Sequence, residues 1–181
     1  HANAWECGTC NSIYGDNCFH IEYGNHFDTM GCVSFSLYFN AIYKELLKWL
    51  DSSSLITIDA SGIYTIKPLS DSIGVRGAKI KPLNSSEKPF YLEYRQPVGF
   101  DSNLADSDFF SNTRGLFVNW RVNQPDDWYY SILLDMTPVE SGNDYNNYID
   151  WQSVTLNIDS GTFTDIGRGI TIGPVIGADA N

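Results

Sequence analysis

Residues 116–122 read Leu-Phe-Val-Asn-Trp-Arg-Val and show the clearest strand pattern in the chain. Its apolar residues alternate with Phe117, Asn119 and Arg121, which is the period of two of a β-strand. Other short alternating or apolar runs lie at 56–58, 64–66, 75–81, 92–94, 131–135, 154–158 and 170–172. No helical pattern follows Leu50, and parallel strands would need crossover helices. The sequence therefore predicts a mainly β fold, an antiparallel β-sandwich of about eight strands over 55–181.

One α-helix is predicted before the strands, over residues 36–50. Its apolar positions follow each other at steps of four and three, which places on one face Phe35, Phe39, Ile42, Leu46 and Trp49. Asn40, Lys44 and Lys48 lie on another face, which we expect to be solvated. The serine run at 52–54 is the predicted boundary between two domains, 1–51 and 55–181.

The N-terminal 34 residues read as loops, and they contain all four cysteines of the chain, Cys7, Cys10, Cys18 and Cys32. Disulfides are predicted to hold this region, with three pairings open. A zinc knot is the alternative, because Cys7 and Cys10 have the spacing of metal ligands. The cysteines and a pI of about 4.4 favour a secreted protein. Asn84 begins an Asn-x-Ser triplet between two prolines, where we expect a glycan.

Charge and hydropathy exclude two classes of partner. The 181 residues include 11 Lys and Arg against 22 Asp and Glu, a formal net charge of −11. Binding to nucleic acid or to an anionic membrane needs a basic face, so neither is expected. No run approaches the 18 or so apolar residues of a membrane span.

Two segments of the N-terminal part carry a resemblance to a known family. Residues 22–31 read Glu-Tyr-Gly-Asn-His-Phe-Asp-Thr-Met-Gly, and 39–50 read Phe-Asn-Ala-Ile-Tyr-Lys-Glu-Leu-Leu-Lys-Trp-Leu. In this order they resemble the end of the catalytic domain of gametolysin-like zinc metallopeptidases, which belong to the metzincins. The resemblance implies that Asp28, Met30 and Gly31 form the Met-turn, with the Met30 side chain packed beneath the zinc site. The segments 90–101, 133–138, 161–165 and 169–172 look like those that follow the catalytic domain in such proteins.

The zinc-binding motif of a metzincin, HExxHxxGxxH, is missing from the chain, whose three histidines are His1, His20 and His26. In the family the third zinc ligand precedes a cysteine-containing loop like the one here, so the resemblance implies that His1 is that ligand. The chain would then be the C-terminal part of a secreted zinc endopeptidase that acts on protein substrates. It would not be catalytic as given, and it would hold zinc only together with the upstream helix.

Several alternatives are also compatible with the sequence. The chain could be complete, as a secreted, non-catalytic assembly or adhesion module that associates with itself through the sandwich. It could also be a carbohydrate-binding sandwich that uses Trp128 and Trp151. An N-terminal His1 could bind copper together with His20 or His26. Calcium could bind at acidic loops, namely Asp101, Asp106 and Asp108, Asp126 and Asp127, or Asp144 and Asp150. Glu93 and Arg95 share a strand face near Arg121, which predicts a structural ion pair.

Overall fold

The structure, a computed structural model, describes residues 1–7, 18–32, 36–83, 87–105, 115–123, 129–137 and 154–177. Its helical elements are α1 (Ala41–Leu46) and a 3₁₀ helix (Gly99–Ala105). The strands are β1 (Ala2–Cys7), β2 (Cys18–Ile21), β3 (Leu55–Ile58), β4 (Gly77–Ile80), β5 (Phe90–Tyr94), β6 (Leu116–Asn123), β7 (Tyr129–Leu134), β8 (Phe163–Asp165) and β9 (Ile170–Ile172). None of the helices in these ranges is long and apolar enough to cross a membrane.

Seven strands form one mixed sheet in the order β2-β1-β7-β6-β5-β4-β3, and β8 and β9 form a separate antiparallel pair. Within the large sheet, β1 pairs with β7 and β3 pairs with β4 in parallel, while the other neighbours are antiparallel. The mainly β class is confirmed, but the purely antiparallel prediction is wrong. The chain between β3 and β4 contains no helix, so it links two parallel strands without the helical crossover that the prediction assumed.

Residues 2–7 and 18–21 are strands, although the N-terminal 34 residues were expected to be loops. Ala2, Asn3 and Ala4 pair in parallel with Ser131, Ile132 and Leu133. Alanine is only weakly hydrophobic, so Ala2 and Ala4 differ little from their polar neighbours. The strand therefore shows no clear alternation of apolar and polar residues. The sheet consequently takes strands from both predicted domains and continues across the boundary at 52–54.

Two of the predicted strands are not formed. The run at 64–66 has no regular structure, and the run at 154–158 contributes only an isolated bridge between Leu156 and Leu116. In contrast, β8 at Phe163–Asp165 was not predicted. Its three residues are too few to show a period, and the partner strand β9 supplies the pairing that forms it.

Each face of the large sheet is covered by a different layer. On one face, Phe90, Leu92, Val118 and Ile132 pack with the β8–β9 pair in one apolar cluster. On the opposite face, side chains such as Tyr91 lie under α1, and Phe117 and Leu133 lie under the segments that hold Phe27 and Leu37. This second face also carries the polar groups described below.

The helix is much shorter than predicted and presents a different face. It begins at Ala41, because the side-chain oxygen of Asn40 accepts the N–H groups of Ile42 and Tyr43 and caps it. Asn40 and Lys44, expected in solvent, are only 0% and 6% exposed. Trp49, expected in the core, is 57% exposed. Phe35 lies outside the described residues.

Candidate functional site

The segment at 22–32, which carries the predicted Met-turn, is a compact turn closed by main-chain bonds. The N–H of Gly31 donates to the carbonyl of Asp28 at 2.8 Å, and that of Cys32 to Tyr23 at 2.7 Å. A Cβ at position 31 would lie 1.9 Å from the carbonyl oxygen of Asn25, so only glycine fits this turn. The Met30 side chain is 38% exposed.

His1 lies directly beside this turn. The N–H of Ala2 donates to the carbonyl of Met30 at 3.0 Å, which brings the first residues of the chain against Met30. The carbonyl of His1 accepts the hydroxyl of Tyr43 from α1. Main-chain and side-chain bonds therefore fix the backbone at His1 between the turn and the helix.

The imidazole of His1 is held by two neighbouring side chains. Its ring centroid lies 4.2 Å from that of Tyr23, whose hydroxyl is 2.8 Å from Nε2. Its Nδ1 is 3.4 Å from Oε1 of Glu22. Tyr23 has φ +57°, a left-handed conformation that is uncommon outside glycine, and its N–H donates to Oδ1 of Asn3 at 2.9 Å. This strained backbone turns the tyrosine onto His1.

Beneath the turn, buried polar side chains connect it to α1 and to the sheet. Asp28 is fully buried, and its carboxylate accepts the N–H of Met30 at 2.7 Å and that of Asn40 at 2.6 Å. The side-chain amide of Asn40 donates to Oγ of Ser131 at 2.5 Å. One member of this network has a signal in the sequence, since asparagine is a typical residue at the cap of a helix.

Five charged side chains lie together under α1, and we call them the buried charge cluster: Asp28, Lys44, Glu93, Arg95 and Asp101. Arg95 binds both carboxylate oxygens of Asp101, and it also donates to the carbonyls of Phe27 and Tyr38. Nζ of Lys44 donates to the carbonyl of Leu69 at 3.2 Å. The arginine therefore joins β5, the 3₁₀ helix and the turn in one site.

Glu93 accepts fewer hydrogen bonds than the other two carboxylates of this cluster. Its Oε2 accepts the N–H of Ala41 at 2.5 Å, and its Oε1 is 3.8 Å from Nη1 of Arg95. Burial raises the pKa of Glu93 to about 7, against the opposing effect of Arg95. Burial also raises the pKa of Asp28 and lowers that of Lys44. The predicted pair of Glu93 and Arg95 is confirmed, whereas Arg121 lies 4.0 Å from Glu45 of α1 instead.

The residues around His1 do not make a zinc site by themselves. Among the described residues, no group of three or more His, Cys, Asp or Glu side chains could hold a metal ion. Both ring nitrogens of His1 face protein groups, Tyr23 and Glu22. His20 on β2 lies opposite Trp5 of β1. Trp5 is four residues from His1, which corresponds to about 13 Å along an extended chain. His1 and His20 are therefore too far apart to bind the same copper ion.

Cys32 and Asp101 are among the other predicted site residues whose side chains the structure describes. Cys32 is exposed and has no disulfide partner among the described residues. Asp101 is buried and bound to Arg95, which removes it from the acidic loop in which we expected calcium. The remaining candidates lie outside the described residues: Cys10, Asn84, Asp106, Asp108, Asp126, Asp127, Trp128, Asp144, Asp150 and Trp151. For Cys7 and Cys18 the structure describes the backbone only.

We compared the chain with protein-family models, with curated proteins and with solved structures, and none of the three comparisons finds a match.

Proposed function

We propose that this chain is the C-terminal part of a secreted, gametolysin-like zinc metalloendopeptidase, and that His1 is one of its zinc ligands. One contact supports the proposal most directly. The bond between the N–H of Ala2 and the carbonyl of Met30 keeps His1 beside the segment that resembles the Met-turn. A metzincin needs its third histidine ligand and its Met-turn to be neighbours in this way.

The described residues define what this chain can contribute to such an enzyme. They supply the turn at 22–32, the fixed backbone at His1 and the sheet on which both rest. The general base and two zinc ligands would come from a helix upstream of His1, because the chain has no HExxH motif. We therefore assign no catalytic step to the residues of this chain.

The first test is the N-terminal sequence and intact mass of the native protein, isolated from its source under denaturing, non-reducing conditions. An HExxHxxG stretch ahead of His1 is the expected result. A mature chain that begins at His1, with a mass near 20.3 kDa plus any glycan, would overturn the proposal.

Zinc content of the native-length protein gives a second test. Replacing His1 by alanine should abolish stoichiometric zinc binding, as measured by elemental analysis after dialysis. His20→Ala is the matched control, because His20 lies on β2 opposite Trp5, and it should retain zinc. Equal zinc contents in the two variants would contradict the ligand role of His1.

Self-association is the second candidate function, and the edge of the sheet favours it. In the described part of the chain, β3 pairs with β4 alone, so its other edge is open to another strand. Exposed apolar side chains follow β3, with Ile63 at 84% and Ile73 at 71% exposure. Analytical ultracentrifugation tests this candidate. We expect the wild type to form dimers or filaments, and we expect Thr57→Pro, a change in the edge strand, to disrupt them. A wild type that stays monomeric at all concentrations would exclude self-association.

A further inference from the structure

We propose that the buried charge cluster is a proton-linked latch, in which a proton on Glu93 holds α1 and the turn at 22–32 on the sheet and loss of that proton loosens both. This inference does not depend on the peptidase function, because it rests on the contacts and charges of the buried charge cluster.

The charges of the cluster do not balance without an added proton. Asp28, Glu93 and Asp101 carry three negative charges when ionised, against two positive charges on Arg95 and Lys44. Two further positive groups act on the cluster from less buried positions: Arg76 on Lys44, and the amino group of His1 on Asp28. All five side chains are 6% exposed or less. An excess negative charge in such a place is costly, so one carboxyl retains a proton to higher pH than it would in water.

Contact geometry selects Glu93 as the group that takes this proton. Asp101 is bound by the guanidinium of Arg95, and Asp28 accepts two backbone N–H groups. Glu93 accepts one backbone N–H, and its closest cation is Arg95 at 3.8 Å. The charged groups that face Glu93 are Arg95 on its own strand, Lys44 on α1 and Asp28 in the turn. Its raised pKa agrees with this assignment.

Hydrogen bonds and main-chain links together connect Glu93 to Ala2, the residue next to His1. Glu93 binds the N–H of Ala41 at the start of α1, and the adjacent N–H of Asn40 is bound by Asp28. Asp28 also binds the N–H of Met30, whose carbonyl accepts the N–H of Ala2. Ionisation strengthens the bond from Ala41, but it also sets the new charge of Glu93 against that of Asp28, and this repulsion acts on the carboxylate that supports both Met30 and the start of α1.

The sign of the pH effect follows from the raised pKa. In the unfolded chain Glu93 ionises near pH 4.5, and in the folded chain near pH 7. Between these values the folded state binds more protons, so the free energy of unfolding falls as pH rises. The unfolding equilibrium constant should increase by roughly tenfold to a hundredfold between pH 5 and pH 8 from this group.

The test compares urea denaturation of the wild type, Glu93→Gln and Glu87→Gln between pH 5 and pH 8. Glutamine keeps an acceptor for Ala41 but has no charge to lose. The stability difference between Glu93→Gln and wild type should therefore grow in favour of the variant as pH rises. Glu87 lies outside the cluster and is bonded to Arg168, so its variant should follow the slope of the wild type. A pH-independent difference between Glu93→Gln and wild type would overturn the proposal.

Two measurements on the folded wild type remain decisive if Glu93→Gln does not fold. In a carbon-13 NMR titration, the carboxyl of Glu93 should have its midpoint above pH 5.5; a midpoint at or below pH 5.5 overturns the latch. In hydrogen exchange corrected for intrinsic rates, the amides of Met30, Asn40 and Ala41 should lose protection together as pH rises from 5.5 to 8. Protection that stays constant at these amides would also overturn it.

Discussion

Asp28 and Asn40 are joined at 2.6 Å by a bond from the backbone N–H of Asn40 to Oδ2 of the buried aspartate. The other oxygen of the same carboxylate accepts the N–H of Met30. Since Asn40 caps α1, one carboxylate fixes both the start of the helix and the turn beside His1. The orientation of these two segments therefore depends on a group that can accept two hydrogen bonds.

The first prediction concerns this double acceptor. In Asp28→Asn one oxygen still accepts an N–H, but the amide nitrogen faces the other donor and leaves it unsatisfied. We expect a loss of about 1–3 kcal/mol in the free energy of unfolding, measured by urea denaturation. Asp59→Asn, at an exposed position after β3, is the matched control and should change stability little. A variant at position 28 as stable as this control would contradict the role of Asp28.

The second prediction concerns Gly31 in the turn. A methyl group there would lie 1.9 Å from the carbonyl oxygen of Asn25, which is backbone and cannot move away cheaply. We expect Gly31→Ala to lower the midpoint of thermal unfolding and to displace the NMR resonances of His1 and Tyr23. Gly177→Ala adds the same methyl group where no atom lies within 4 Å, and it should leave both readouts unchanged. An unperturbed His1 in the Gly31 variant would show that the turn does not position it.

The sequence predicted the strands whose side chains alternate visibly between apolar and polar. Strands β5 and β6 alternate clearly because their face towards the β8–β9 pair is apolar, whereas the opposite face includes polar side chains such as Glu93 and Asn119. Strand β1 was missed because its pairing with β7 comes from main-chain bonds over more than 120 residues of sequence, which no local pattern reports. Lys44 was placed in solvent because its burial depends on the carbonyl of Leu69 and on the ring of Tyr38, 4.4 Å from Nζ.

Site residues were predictable to a similar extent. The turn at 22–31 is recognisable from its motif, and its glycine and aspartate have specific contacts in the structure. The carboxylate of Glu93 was recognised only as a member of an ion pair with Arg95. Its contact with Ala41 and the excess charge around it arise from the fold, because Asp28, Lys44 and Asp101 are far apart in sequence.

The third prediction assigns one disulfide from backbone register. Cys7 and Cys18 are directly opposite each other in the antiparallel pair of β1 and β2. Opposed residues of such a pair have α-carbons about 4.5–5.5 Å apart, within the range that a disulfide spans. Peptide mapping of the oxidised protein without reduction should therefore find a Cys7–Cys18 link. The free thiol of Cys32 should be alkylated under the same conditions. A link from Cys32 to either residue would contradict the assignment.

The last prediction is a pH dependence opposite in sign to that of Glu93, and it concerns Glu45 on α1. Burial acts to raise the pKa of Glu45, but hydrogen bonds from Lys79 and Tyr91 outweigh it and lower the pKa. The folded state therefore releases this proton more readily than the unfolded chain. The resulting stability is present above the unfolded pKa near 4.5 and is lost as pH falls through the lower folded value.

Glu45→Gln should accordingly destabilise the protein at pH 6, with a loss that shrinks as the pH is lowered towards 3. Urea denaturation at a series of pH values measures this, with Glu22→Gln, at a carboxylate 65% exposed, as the matched control. Lys79→Met should reproduce the pH dependence, because it removes the ammonium group 2.6 Å from the carboxylate. A loss in Glu45→Gln that is the same at pH 3 and pH 6 would show that packing, rather than the charge of Glu45, connects α1 to β4 and β5.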